Sequence, residues 1–256
     1  MAKKSVKKLL KTLWQLKIIY DNSHIGAYSA QAVLFLLISL VPLAMLFVMV
    51  VTAVQHADLF GTGKILSSLI APHTGSHLAA LLKQAKQQAT FPLVSVTSVF
   101  LVWTATKGVR CVAQGINVIY GTKGGLKQAV QAAVYTFGAF AAVVGTVVLW
   151  NALGRKIALE AAVFVPMTAV FALGYKIFSP PPQRLCHQLT GAVTAAAGWI
   201  VFTRGYGLYI RYFPGYSAVY GSFGAVVLAV LWLYVCINIL LTGALINKIL
   251  AHNRER

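Results

Sequence analysis

From Leu189 to Phe202 the chain carries no charged residue, and uncharged apolar stretches of similar length recur along it. A run of about 20 apolar residues matches the roughly 30 Å hydrocarbon core of a bilayer when wound as a helix, and nothing else constrains a chain so strongly. The runs are continuous rather than alternating, which excludes transmembrane strands. Six spans follow: 28–54, interrupted by Pro42, then 91–113, 128–153, 158–178, 189–212 and 221–250. The expected fold is an all-α membrane protein, a bundle of six transmembrane helices forming one polytopic domain over residues 1–256.

Composition agrees. Hydrophobic residues make up 59% and charged residues 10% of the chain, against about a quarter charged in a soluble domain. The net charge of +18 is read as the positive-inside bias plus attraction to anionic lipid headgroups, not as a nucleic-acid surface. Membrane lipids are therefore the expected partners, with a small-molecule or lipid substrate and no nucleic acid. Cys111, Cys186 and Cys236 lack paired spacing and read as free thiols.

Charge also sets sidedness. Lys3, Lys4, Lys7, Lys8, Lys11, Lys17, Lys107, Arg110, Lys123, Lys127, Lys176, Arg184, Lys248, Arg254 and Arg256 fall on one side of the spans. Lys64, Lys83, Lys86, Arg155, Lys156, Arg204 and Arg211 fall on the other. The richer side is cytoplasmic, so both termini lie inside. Residues 1–26 read as a basic amphipathic helix on the inner surface, with Leu9, Leu13, Leu16 and Tyr20 on one stripe. Residues 55–90 become an extracytoplasmic loop with two short amphipathic helices, separated by "APHTG" at 71–75.

Four acids in the whole chain, Asp21, Asp58, Glu160 and Glu255, are too few for two-metal phosphodiester chemistry, which needs several ligands converging on ions about 4 Å apart. His73 and His77 have the i,i+4 spacing of a zinc pair, but Pro72 and Gly75 interrupt the helix and no third ligand is evident. No GxSxG is present. No cofactor or metal is expected, and no enzymatic activity.

Polar side chains inside apolar spans are costly unless paired or facing a wet cavity. Gln31, Ser39, Arg204, Asn238 and Tyr220 form the candidate ligand-binding set, and Thr104, Thr106 and Asn151 are further polar positions. Interhelical hydrogen bonding is the favoured explanation for Asn, Gln and Thr, ahead of a substrate site. Arg204 either faces the bundle interior, where it binds a phosphate or carboxylate, or snorkels to lipid phosphate. Gly138, Gly145, Gly191 and Gly198 have the spacing of close helix packing, and Tyr206, Tyr209 and Tyr212 that of an outer aromatic belt.

Three stretches, "AYSAQAVLFLLISLVP" (27–42), "INVIYG" (116–121) and the block from Gly191 to Ala244 with its "LWLY" centre and Gly-Ala end, resemble the YihY/virulence factor BrkB family of bacterial inner-membrane proteins. The resemblance implies six transmembrane helices and the bacterial cytoplasmic membrane, and no settled activity: the family has carried the label ribonuclease BN, and a transport role has also been suggested. The resemblance implies an acidic residue after the Gly-Ala end; here Leu245 stands there, so any proton- or cation-coupling role of such a carboxylate is not carried over to this chain. The expected function is an integral membrane protein of the cell envelope that transports an anionic or amphipathic, lipid-like solute. A non-transporting scaffold is the alternative, and a ribonuclease or intramembrane hydrolase the third reading.

Overall fold

A computed structural model describes residues 18–57, 91–122, 124–152, 159–180, 185–212 and 215–254. Among them lie six long helices: α1 (Ile25–Ala57), α2 (Phe91–Tyr120), α3 (Leu126–Ala152), α4 (Leu159–Phe178), α5 (Leu185–Tyr212) and α6 (Gly215–Arg254). α1, α2, α5 and α6 contain the apolar stretches expected for them, and α3 and α4 all but Leu153 and Ala158, which lie outside the described residues. The described residues hold no strand. Most of the basic surface helix (1–17), the extracytoplasmic loop helices and the His73/His77 pair lie outside the described residues.

Helix ends follow local chemistry. A short helical stretch at 18–22 turns at Ser23 and His24, whose φ of 47° breaks the helix before α1 begins. α2 stops because Gly121 adopts φ 74°. Its N–H bonds Val118 O at 3.1 Å and the Thr122 N–H bonds Asn117 O at 2.8 Å, the pairing of a Schellman cap, which a residue with a Cβ rarely completes. "INVIYG" is thus a helix end. Pro42 and Pro166 lie inside helices, which membrane helices tolerate because neighbouring groups re-satisfy the freed carbonyls.

The chain divides into two compact units, residues 35–105 and residues 1–34 with 106–256. In the smaller unit, Ser39 is buried and its Oγ donates to Leu36 O at 2.6 Å. Thr104, fully buried, donates to Phe100 O at 2.8 Å. Trp103 is half exposed and packs on Phe100, ring centroids 5.9 Å apart.

The larger unit is organised around α6. α5 runs antiparallel to it: Tyr206 donates to Leu228 O at 2.5 Å, Trp232 Nε1 donates to Thr203 Oγ1 at 3.2 Å, and Gly198 faces Ile239. Trp199 and Trp232, both half-buried, meet edge to face at 6.0 Å. α4 joins through Tyr175, fully buried, whose hydroxyl donates to Leu240 O at 2.6 Å. α3 packs on α4 through Tyr135, which donates to Val170 O at 2.8 Å. The end of α2 adds Gly115 against Leu241. Cys111 and Cys236 are buried free thiols.

The outside of this unit is apolar. On α5, Leu185, Leu189, Val193, Val201 and Leu208 are all exposed. At 100° per residue, Leu189, Val193, Val201 and Leu208 fall on one face about 120° wide, with Leu185 beyond its edge. Val130, Val134 and Phe137 share one face of α3. Contiguous apolar stripes of this extent suit hydrocarbon surroundings. Among the described residues, Val226–Ala251 is long and apolar enough to cross a membrane on its own, and Ile25–Leu40 and Val163–Phe178 are shorter apolar helical segments.

Two expectations about small and aromatic residues need correction. Gly138 and Gly145 have open space where a Cβ would stand, so they make no close helix contact in this chain. Tyr206 is not a belt residue, because its hydroxyl is tied to α6; Tyr209 and Tyr212 are exposed as a belt requires.

Candidate functional site

Two features of the larger unit hold polar groups in an apolar setting. The first is a groove of about 200 Å³ between α5 and α6. Ala195, Val235, Ile239 and Ile246 give it apolar walls, and Thr194, Asn238 and Thr242 a polar line. The Thr194 and Thr242 hydroxyls donate to backbone carbonyls one turn back, at 3.0 and 2.8 Å. This is how hydroxyl side chains satisfy themselves in an apolar helix. Asn238 Nδ2 donates to Tyr234 O at 2.8 Å, and its Oδ1 accepts from the Tyr20 hydroxyl at 2.8 Å. The segment before α1 therefore reaches one wall of the groove.

The second feature is a cluster of polar side chains where α2, α4 and α6 end and α3 and α5 begin. Asn247 is buried on α6. Its Oδ1 accepts from the Gly191 backbone N–H at 2.7 Å, and its Nδ2 donates to Gln188 O at 3.1 Å and Gln188 Oε1 at 2.9 Å. The contact depends on glycine: a Cβ on Gly191 would stand 2.6 Å from Asn247 Nδ2, and one on Gly243 2.7 Å from Gly191 O. Beside it, Ser179 and Gln188 lie against the Tyr120 phenol. Lys248 Nζ donates to Ile119 O, a cation set on the carbonyl end of α2. Asn117 and Gln128, both buried, meet over Gly124.

The five residues singled out from sequence lie on three helices, α1, α5 and α6. Asn238 lines the groove. Arg204 is exposed, on the α5 face that carries Val201 and Leu208. From the pairing of Gly198 with Ile239 and Tyr206 with Leu228, its level on α6 is about two turns, roughly 11 Å, from Asn238. Gln31 is exposed on α1. Ser39 belongs to the smaller unit. Tyr220 lies in α6, with its side chain outside the described ones.

Gln128, Ser179, Gln188 and Asn247 were missed because each sits at the edge of an apolar run, where a polar residue reads as the start of a loop. The signal was the pairing of Gly191 with the Gly-Ala end at Gly243: two glycines at opposite ends of neighbouring antiparallel spans leave room for a polar side chain between backbones. Leu245, which follows the Gly-Ala end, is fully buried. Among the described residues no three His, Cys, Asp or Glu side chains come together.

Comparison with known proteins adds the lineage. The family profile described as "Virulence factor BrkB" matches residues 19–256. A "UPF0761 membrane protein" of Azoarcus sp. (strain BH72) is 40% identical over 88 residues, 34% of this chain and 22% of that protein. A "UPF0761 membrane protein" of Aromatoleum aromaticum is 26% identical over 208 residues, 75% of this chain and 51% of that protein. A "Putative ribonuclease-like protein YfkH" of Bacillus subtilis is 24% identical over 250 residues, 89% of this chain and 90% of that protein. The matched region thus spans about half or less of these two UPF0761 relatives. No solved structure matches. With nearly its whole length matched by the profile, and with apolar faces suited to lipid, the chain belongs to the virulence factor BrkB family and is a membrane protein.

Proposed function

We propose that the chain is one polytopic domain of the bacterial cytoplasmic (inner) membrane, crossing it six times with both termini inside, and that it transports an anionic or amphipathic, lipid-like solute. The groove between α5 and α6 carries this reading. Its walls are apolar, and Thr194, Asn238 and Thr242 form a single polar line along it. An amphipathic molecule fits such a groove, with an acyl chain on the apolar walls and a polar part on the line. A fully hydrophilic solute would leave the walls unsatisfied. The test is reconstitution in proteoliposomes with a fluorescent phospholipid whose transfer between leaflets is followed by a membrane-impermeant quencher. Ile239→Trp, which fills the groove, is expected to slow transfer at least tenfold at unchanged protein content. Equal transfer in wild type, Ile239→Trp and protein-free vesicles removes the reading.

A non-transporting scaffold is the second reading. The interlock of Asn247 with Gly191 and Gln188 favours it, because a buried network of satisfied amides holds two helices in one arrangement. A ribonuclease role has the support of names alone, among them that of the Bacillus subtilis relative, and the four carboxylates of the whole chain argue against it.

A further inference from the structure

The polar cluster at the α2, α4 and α6 ends has more donors than its own acceptors take up. Gln128 Nε2 has no hydrogen-bond partner, although the side chain is only 6% exposed, and the buried Ser179 hydroxyl meets the Tyr120 hydroxyl. A buried polar group left without a partner costs about 1–3 kcal/mol, so it calls for one that the described residues do not supply. Lys248 adds a half-buried ammonium. An ammonium carries three donors, and Ile119 O takes one. Among the described side chains of α2 to α6 there is no carboxylate.

These groups belong to one neighbourhood. Ser179 lies against Tyr120. Tyr120 reaches toward Ala244 O at 3.5 Å, and Lys248 is one helical turn beyond Ala244. Asn117, one turn before Tyr120 on α2, meets Gln128 over Gly124. Tyr135 packs on Gly174 and Phe178. Seven residues back along α3, Gln128 is therefore level with Ser179 to within about one turn of helix, 5.4 Å. We propose that this cluster is an anion site that takes a phosphate or phosphate ester, bound by Gln128 Nε2 and Lys248 Nζ, with the Ser179 hydroxyl turning from Tyr120 to the ligand. A phosphate supplies the acceptors these donors lack and the charge that Lys248 lacks. Water supplies only the first. The site is independent of passage through the α5–α6 groove. The same chemistry describes a lipid headgroup and a free phosphate.

The experiment uses the full chain in a neutral detergent, with thermal unfolding followed against inorganic phosphate at constant ionic strength set by chloride. A ligand bound only by the folded state raises stability with its logarithm above Kd, so the wild type is expected to show a saturable rise. Ser179→Ala and Gln128→Leu should weaken apparent phosphate affinity at least tenfold, Lys248→Met should abolish the rise, and Lys248→Arg should keep it. Phosphorus NMR linewidths of the phosphate give the same comparison for any variant that unfolds early. Nanodiscs of phosphatidylcholine alone, or with phosphatidylglycerol, separate the sources. If the headgroup is the ligand, phosphatidylglycerol stabilises the wild type and removes the further effect of phosphate; if free phosphate is the ligand, its effect persists in both. No stabilisation of the wild type by either source overturns the proposal. Equal responses in wild type and all variants also overturn it, as does an experimental map showing only water on Gln128 and Ser179.

Discussion

The side-chain amide of Asn247 is inserted against the backbone of α5 at Gly191, accepting its N–H at 2.7 Å while donating to Gln188. Only a glycine leaves room for it. Asn247→Ala removes the acceptor from a buried N–H, at an expected cost of about 1–3 kcal/mol. Gly191→Ala drives a methyl into the same amide, at an expected cost of about 1–3 kcal/mol. Because both changes break one contact, the double variant should fall short of the sum by about 0.5 kcal/mol or more. Thermal unfolding of the four proteins in one detergent reads this directly, and strict additivity would contradict the arrangement.

Sidedness follows from the distribution of lysine and arginine. Single cysteines placed at Lys123 and Arg184 should react with a membrane-impermeant thiol reagent only from the cytoplasm, and those at Lys83 and Lys156 only from outside. The three native cysteines are replaced first; Cys111 and Cys236 are buried, and serine or alanine at either is checked for expression. Labelling of position 83 from the cytoplasm would invert the topology.

The ribonuclease-like name of the Bacillus subtilis relative makes a second point of decision. Purified protein in nanodiscs with Mg²⁺, Mn²⁺ or Zn²⁺ is expected to leave RNA intact. Cleavage that survives purification and disappears when one of the four acids or a histidine is replaced would establish an enzyme instead.

The helices were legible in the sequence because each is built on an uncharged run too long and too continuous to be anything else. The cap at Gly121 was legible only as a motif; its cause, a positive φ completing two hydrogen bonds, is a property of the backbone. Packing was less legible. Gly191 and Gly138 look alike as glycines in apolar spans, yet one is pressed against Asn247 and the other faces open space. Spacing within one helix cannot say which face a neighbour covers. Asn238 was found because a lone amide in a long apolar run is conspicuous, whereas Asn247 and Gln188 sit at span edges where polarity is ordinary. Their pairing is a contact between residues 59 apart in sequence, and no local pattern carries it.

Arg204 makes the last prediction. It stands on the face of α5 that carries Val193, Val201 and Leu208, all exposed, and Arg211 is exposed two turns further on. Gly205 and Gly207 leave open space beside it. Neither arginine lines the α5–α6 groove. An arginine on a lipid-facing stripe near a helix end keeps its stem in hydrocarbon and turns its guanidinium to headgroup phosphates. Such an attraction is worth about 1 kcal/mol per cation at an anionic surface. Arg211→Gln should therefore leave unfolding in neutral detergent nearly unchanged, whereas Arg204→Gln, which removes a residue that also interacts within the protein, is compared with its own stability in detergent. In nanodiscs containing phosphatidylglycerol, each should lose stability relative to wild type by about that 1 kcal/mol beyond any difference in detergent, with no such further loss in phosphatidylcholine alone. Arg204→Lys should retain most of the effect, since the charge remains. Should Arg204→Gln instead abolish phospholipid transfer in proteoliposomes while Arg211→Gln does not, with stability equal in both lipids, Arg204 acts on the transported molecule and not on the surrounding bilayer.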